Sequence, residues 1–408
     1  MTKLAGDRYI VISSDGHAGA AVHEYRDYLA SKYHDAFDAW EAAFENPFED
    51  LRADFAYRNW DSAARLRELE DDGVVAEVLY PNTIPPFFPS GNLLARPPDT
   101  REDFELRWAG LKAHNRWMVD FCADTPGRRA GMAQIFLNDV PAAVSEIEWA
   151  AEQGLQGGIL LPGVPPDSGL PPLYARDYDP IWAACQDLGM PINNHSGAAG
   201  PAPTPDATGM AVFMVELGWF SHRVFWHMVI GGAFARFPGI RLALAEQSSG
   251  WVPGTLDMLD HQFRRFRDPD TAESHFGNEV VQVVTELPSY YWHHNCFAGA
   301  SFFRPCEAPL RHEIGVDRIM WGQDYPHIEA TYPYTTESLR LTFEGVDSDE
   351  IARIVGLNAA GVYGFDLDAL APVAERVGPT VAEVAVPLDE IPPDSRSIAF
   401  AGENVKPW

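Results

Sequence analysis

A carboxylate and an imidazole stand one residue apart at Asp15 and His17, in the stretch YIVISSDGHAGA that spans residues 9–20. The apolar run before them reads as a buried strand, and a two-residue spacing sets both side chains on one face of an extended chain. Three further segments end in the same kind of residue. INNHSG carries His195, LALAEQSSGW carries Glu246, and IMWGQDYPH carries Asp324 with His327 just beyond. Three carboxylates and three imidazoles converging on one pocket would be unstable as bare like charges. A divalent cation neutralises the acids and takes up the lone pairs, so the set as a whole predicts a metal site. Each residue alone fits a capping aspartate or a packing histidine equally well. The set is informative because four separate strand-like segments each end on a ligand-type residue.

Such convergence needs a scaffold that brings strand ends to one mouth. Eight short apolar runs alternate with helical patterns, beginning with YIVISSDGH, VVAEVLY and RRAGMAQIF and ending with NCFAGAS and RIMWGQDYPH. Apolar residues recur at three and four from Asp99 to Asp124, Val140 to Gln153 and Tyr178 to Leu188. This rhythm predicts an α/β fold, a (β/α)8 TIM barrel, and no GxGxxG follows the first strand to suggest a dinucleotide-binding sheet instead. The barrel domain is expected to span residues 1–366, with insertions at 20–61 after strand 1 and at 80–99 after strand 2. Both insertions would rise over the face where barrel enzymes keep their active sites. Their rings, Trp40, Trp60, Phe87 and Phe88, and Trp251 after Glu246, suggest an apolar pocket for a small-molecule substrate. Gly16 and Gly19 are expected to leave room at the mouth. Residues 367–408, rich in Pro, Ala and Val, read as an extended tail packing on the barrel or on a partner subunit.

Composition narrows the partners. The 408 residues carry a formal net charge of −29, which argues against nucleic acid because phosphate binding needs a basic face. No run of about 18 apolar residues suggests a membrane span, and the first residues lack a secretory pattern. The expectation is a soluble, cytoplasmic protein. The four cysteines lie far apart without a CxxC pair, so a thiolate zinc site is not expected. The aromatic insertions and the tail suggest a homodimer. Among the other histidines, His227 reads as a helix-packing residue, His293 and His294 precede strand 7 on the wrong side, and His114, His222 and His261 read as surface or capping residues.

The segments SSDGH, GGAFARFPGIRLALAEQSSGWVP, IMWGQDYPHIEATYP and IVGLNAAGVYGFD resemble the amidohydrolase-related branch of the metal-dependent hydrolase superfamily. That branch includes the aminocarboxymuconate-semialdehyde and resorcylate decarboxylases. The resemblance runs to about residue 366 and implies metal ligation by His17, His195 and Asp324, with Asp15 where those decarboxylases carry a histidine or glutamate. It also exposes two departures. Glu246 stands where the decarboxylases carry a catalytic histidine, and strand 4, GGILLP, lacks the lysine that bridges two ions in the wider superfamily.

A carboxylate at position 246 could span two ions, and the long form with DxH and a strand-6 glutamate resembles the barrel-type non-heme di-iron monooxygenases. The first expectation is therefore two Fe, with Mn or Zn as alternatives, and hydroxylation of a small organic or terpenoid-type substrate with dioxygen. Asp15, His17, His195, Glu246, Asp324 and His327 would bind metal, with Glu246 and Asp324 also catalytic. The alternative is a mononuclear Zn- or Mn-dependent hydrolase or decarboxylase acting on a carboxylate-bearing aromatic substrate, with Glu246 or Asp324 moving the proton. A silent barrel serving as a partner subunit is disfavoured by the completeness of the ligand set.

Overall fold

Strand-forming runs of Ile, Val, Leu and Ala, each followed by a helix, give the chain its barrel. The structure is a computed structural model and describes residues 4–46, 51–89, 95–197 and 199–400. Residues 47–50, 90–94 and 401–408, which belong to the two expected insertions and the tail, lie outside the described residues. The eight strands are β1 (Ile12–Ala18), β2 (Ala76–Pro81), β3 (Arg129–Gln134), β4 (Gly158–Leu160), β5 (Ile192–His195), β6 (Leu242–Ala245), β7 (Cys296–Ser301) and β8 (Ile319–Gly322). All pair in parallel, in sequence order from β1 to β8. β1 meets the chain just past the end of β8, where His17 N–H donates to the Tyr325 carbonyl at 2.7 Å and Asp324 N–H donates to the Asp15 carbonyl at 2.8 Å. The result is a nearly closed (β/α)8 barrel.

Each of the eight expected strands corresponds to an observed one, and the three strongest helical patterns form the helices Arg101–Ala123, Val140–Glu152 and Asp179–Leu188. Capping explains the starts of the first two. Thr100 and Asp139 accept hydrogen bonds from the backbone N–H of Asp103 and Ala142, satisfying donors that a first helical turn leaves unpaired.

Two apolar layers hold the barrel. Ile12, Val78, Tyr80, Met132, Ala243 and Met320 fill its interior, and Ala359, Val362 and Tyr363 of the closing helix Asn358–Tyr363 join that layer. Trp182, Phe225, Trp292 and their neighbours fill the space between strands and helices. The region after residue 366 is not extended throughout: a helix, Leu367–Val377, leads it. It packs on the same chain, since Tyr9 N–H donates to the Pro379 carbonyl and Val381 N–H to the Asp7 carbonyl.

Candidate metal centre

The register of β1 slips against β2 between Ser13 and Gly16, a bulge that falls on the residues leading into the site. Asp15 and His17 stand at this bulge and just beyond it, both buried. His195 is the last residue of β5, Glu246 follows β6 directly, and Asp324 lies two residues past β8. Glu246 and Asp324 hold left-handed backbone angles, φ 52° and 64°, in a region that costs a non-glycine residue roughly 1–3 kcal/mol. These backbone turns at two strand ends bring Glu246 against His195 and Asp324 against His17 and His327. Gly322 assists, because a Cβ there would lie 2.7 Å from Asp15 Cβ.

The six residues singled out from the sequence are brought together. His17 Nε2 lies 3.3 Å from Asp15 Oδ1 and 3.1 Å from Asp324 Oδ1. His195 Nε2 lies 3.7 Å from Asp15 Oδ1 and 3.1 Å from Glu246 Oε2. Asp15, His17, His195 and Glu246 form one group of ligand atoms within 4.8 Å of one another, and His17, Asp324 and His327 form a second.

Hydrogen bonding divides these atoms sharply. Asp15 Oδ1, His17 Nε2 and His195 Nε2 are buried without a hydrogen-bond partner. An orphaned buried acceptor is costly, and three of them aimed at one point fit a cation. Two of these side chains have their other polar atom committed. Ser301 Oγ–H donates to Asp15 Oδ2, and His195 Nδ1–H donates to the Ser196 carbonyl at 3.2 Å, which leaves the Nε2 lone pair for a ligand. His327 differs. Its Nδ1–H faces both oxygens of Asp324 at 2.9 and 3.0 Å, and its Nε2 faces Asn82 Oδ1 at 3.2 Å. Asn82 is oriented by donating Nδ2–H to Asn59 Oδ1 at 2.7 Å. With an acceptor on each ring nitrogen, His327 is placed to donate twice rather than to offer a lone pair.

The electrostatics follow from this crowding of acids. Burial opposes charge on His327, but Asp324 with Glu246 and Glu329 outweighs it and pushes the group up to about 10. Burial likewise opposes charge on His195, yet Glu246 and Asp15 push it up to about 9. Burial raises Asp15 and Asp324, but the imidazoles beside them outweigh it and hold both below the usual carboxylate range. Glu246 is pushed up to about 7, first by burial and then by the Asp324 and Asp15 charges, with His195 and His327 opposing. The cluster recruits positive charge, whether protons or a metal ion.

Several residues absent from the sequence reading support the centre. Ser301 and Asn82 hold Asp15 and His327, and Ser196 Oγ–H donates to Glu246 Oε2 at 3.2 Å. Arg65, fully buried, pairs with Glu77 and donates to the His17 carbonyl at 2.7 Å, tying the β1 end to the helix Ser62–Asp71. A serine closing FAGAS was the one available signal. Other expectations change. A Cβ on Gly16 would approach the Glu77 and Arg65 side chains, and one on Gly19 would collide with Thr83, so these glycines permit packing rather than substrate entry. His114 is fully buried and shares a 2.7 Å hydrogen bond with the Tyr25 hydroxyl, and His222 stacks on Trp251 at 3.9 Å. His114 is therefore not a surface residue, and His222 is half-buried.

Beside His195 opens a pocket walled by Phe88, Phe136, Leu137, Leu161 and Leu170, with Gln134 and Asn138 as its polar side chains. Of the rings expected to line it, Phe88 does. Phe87 of the second insertion instead packs against Trp40 and Phe37 of the first.

An eightfold barrel with carboxylates and imidazoles converging at its strand ends defines a metal-dependent (β/α)8 enzyme. The chain belongs to the amidohydrolase family, whose model, described as Amidohydrolase, matches residues 37–365. Solved structures share the fold. The 5-carboxyvanillate decarboxylase LigW of Sphingomonas paucimobilis is 19% identical, with a TM-score of 0.62 over 87% of this chain and 99% of that one. A mutant form of the corresponding enzyme of Novosphingobium aromaticivorans, with bound manganese and 3-methoxy-4-hydroxy-5-nitrobenzoic acid, is 18% identical, with a TM-score of 0.64 over 89% and 99%. The 2,6-dihydroxybenzoate decarboxylase of Rhizobium is 17% identical, with a TM-score of 0.60 over 88% and 99%. Among the described residues no helix is long and apolar enough to cross a membrane.

Proposed function

We propose that the chain is a mononuclear divalent-metal decarboxylase or hydrolase acting on an aromatic carboxylic acid with an apolar ring face. One observation carries the choice of one metal over two: three orphaned ligand atoms, Asp15 Oδ1, His17 Nε2 and His195 Nε2, converge on a single point, while both nitrogens of His327 face acceptors. Asp324 Oδ1, 3.1 Å from His17 Nε2, stands in the neighbouring group and Glu246 in the same one, so either carboxylate can complete the set. Oxygen and imidazole donors of this kind suit manganese or zinc. Manganese is also what the Novosphingobium decarboxylase holds.

A bound divalent cation would fix and polarise a substrate oxygen at this point. The chain's own groups do the rest. The pocket beside His195 takes the ring, and none of its described side chains apart from His195 carries charge, so the substrate's anionic group is directed to the metal end. Glu246, a quarter exposed at the mouth, holds a proton to deliver or receive at the reacting carbon or oxygen, and Ser196 orients it. His327, donating to Asp324, keeps that carboxylate fixed.

The dinuclear iron oxygenase remains a second reading on one observation, the two ligand groups that overlap at His17. A single imidazole nitrogen serves one ion, so a second ion would depend on Asp324, Glu246 and a deprotonated His327. Metal analysis of protein grown with manganese, zinc or iron, paired with carbon dioxide release and dioxygen consumption on a panel of hydroxybenzoic acids, separates the readings. One metal per chain with oxygen-independent turnover is the expected result. Two irons with stoichiometric dioxygen uptake would replace it with the oxygenase.

A further inference from the structure

β7 ends on Ser301 rather than on a carboxylate or an imidazole, yet the chain just beyond it touches the segment that carries Glu246. The contact is Glu307, which is fully buried. Its Oε1 accepts from the Ser249 N–H at 2.6 Å, the Ser249 hydroxyl at 2.9 Å and the Gly250 N–H at 3.2 Å. Its Oε2 accepts from the backbone N–H of Arg304 at 3.2 Å and from Arg304 Nε–H at 3.1 Å. Five donors therefore meet one carboxylate, and the guanidinium of Arg304, itself buried, balances its charge.

The segment so held is one that needs holding. Between the end of β6 and the helix Val252–Arg267, Glu246 and Ser248 both take left-handed backbone angles, φ 52° and 50°. Neither is a glycine, and such residues persist in that region only where their surroundings over-determine them. Contacts along the turn do so. Glu246 N–H donates to the Gly299 carbonyl at 3.1 Å and Gln247 Nε2–H to the Asn194 carbonyl at 2.9 Å, which ties the first two residues to β7 and β5. His222 Nε2 faces the Gln247 carbonyl at 3.2 Å. Glu307 takes Ser249 and Gly250, where the turn becomes the helix. Releasing those two residues frees Ser248 to leave the left-handed region, and Glu246 lies on the same turn.

We propose, resting on Glu246 as the group that moves the proton, that Glu307 is a positioning residue for the reaction: through Ser249 and Gly250 it fixes the turn that sets the Glu246 carboxyl 3.1 Å from His195 Nε2. Proton exchange with a bound substrate needs a fixed hydrogen-bonding distance, so a small rotation of the turn slows the chemistry. Ring binding is untouched by it, because the described walls of the pocket beside His195 include no residue of this turn. The β7 connection thus governs two carboxylates. Ser301 fixes Asp15, and Glu307 beyond it fixes Glu246.

Carbon dioxide release from a panel of hydroxybenzoic acids, measured on the manganese-loaded full chain as native protein, Glu307→Gln, Glu246→Gln and the double variant, tests it. Glutamine keeps the size of Glu307 but turns a donor toward Arg304 or toward Ser249. Alone, Glu307→Gln is expected to lower kcat by about 10–100-fold, the usual effect of losing a partner that orients a functional group, with KM and metal content unchanged. In the Glu246→Gln background the same change is expected to do almost nothing, because the group it positions no longer moves a proton. An equal fall in both backgrounds would overturn the proposal and leave the role of Glu246 standing, whereas a Glu246→Gln variant as fast as the native protein would overturn both. Crystal structures give a readout that needs no substrate: residues 246–250 of Glu307→Gln are expected to shift and carry the Glu246 carboxyl away from His195. A variant turn that superimposes on the native one would sink the idea. Should Glu307→Gln not fold, Ser249→Ala removes one of the three donors to Oε1 and is expected to give a smaller fall in kcat with the same dependence on Glu246. A fall independent of Glu246 would count against the proposal there too.

Discussion

Ser301, the last residue of β7, donates its hydroxyl hydrogen to Oδ2 of Asp15 on β1, so that only Oδ1 faces His17 and His195. The bond makes Asp15 a one-oxygen donor of fixed direction. Ser301→Ala is expected to leave the fold intact and weaken metal binding by about 10–100-fold, the usual effect of losing a partner that orients a ligand. Titration calorimetry with manganese measures it. An unchanged affinity would show that Asp15 needs no such anchor.

His17 and His327 should differ in kind. His17→Ala removes one of the three orphaned donors and is expected to lower metal content to near zero. His327→Gln keeps a donor toward Asp324 and is expected to retain one metal per chain while slowing turnover. Elemental analysis of the two purified variants reads the contrast, and equal loss of metal would restore His327 to the ligand set.

Glu246→Gln keeps shape and hydrogen bonding at the β6 end but cannot exchange a proton. Metal content should hold, and turnover should fall by about a hundred- to ten-thousand-fold, the range for removing a general acid or base. Loss of the metal along with the activity would make Glu246 a ligand instead.

Asp72 provides a stability test outside the six-residue cluster. It is buried, accepts the Thr335 N–H at 3.0 Å and the Gln323 side-chain amide, and burial pushes its carboxyl from an ordinary 3.8 up to about 7. A carboxyl whose folded value is raised favours the folded state when protonated. Its contribution is complete below about pH 4 and lost as pH rises to about 7, amounting to at most about 4 kcal/mol. Asp72→Asn removes the charge, and Gln323, whose Oε1 is buried without a partner, can turn its amide to accept from the new side chain. Melting temperatures taken from pH 4 to pH 8 should fall less steeply for the variant. Parallel curves would sink the assignment.

The pocket can be tested from its half-buried wall. Leu170→Asp adds a negative charge opposite an aromatic acid, and KM for that substrate is expected to rise at least about tenfold with kcat little changed. An unaltered KM would place the ring elsewhere.

Much of the architecture was legible before folding. Short apolar runs marked β1 to β8, period-three-and-four runs marked the helices between them, and a ligand-type residue at the ends of β1, β5, β6 and β8 marked the mouth. These patterns are readable because burial of a strand or a helix face constrains residues close in sequence. The sequence by itself thus determined the barrel and which six residues meet at its mouth. Tertiary structure decided what each of them can do. Ser301 and Asp15 are 286 positions apart, and His327 and Asn82 are 245 apart, so no local pattern reveals that one bond frees a carboxylate oxygen while the other occupies an imidazole. His114 departs from expectation for the same reason. A residue's type fixes which bonds it can make, and only packing fixes which of them are already taken.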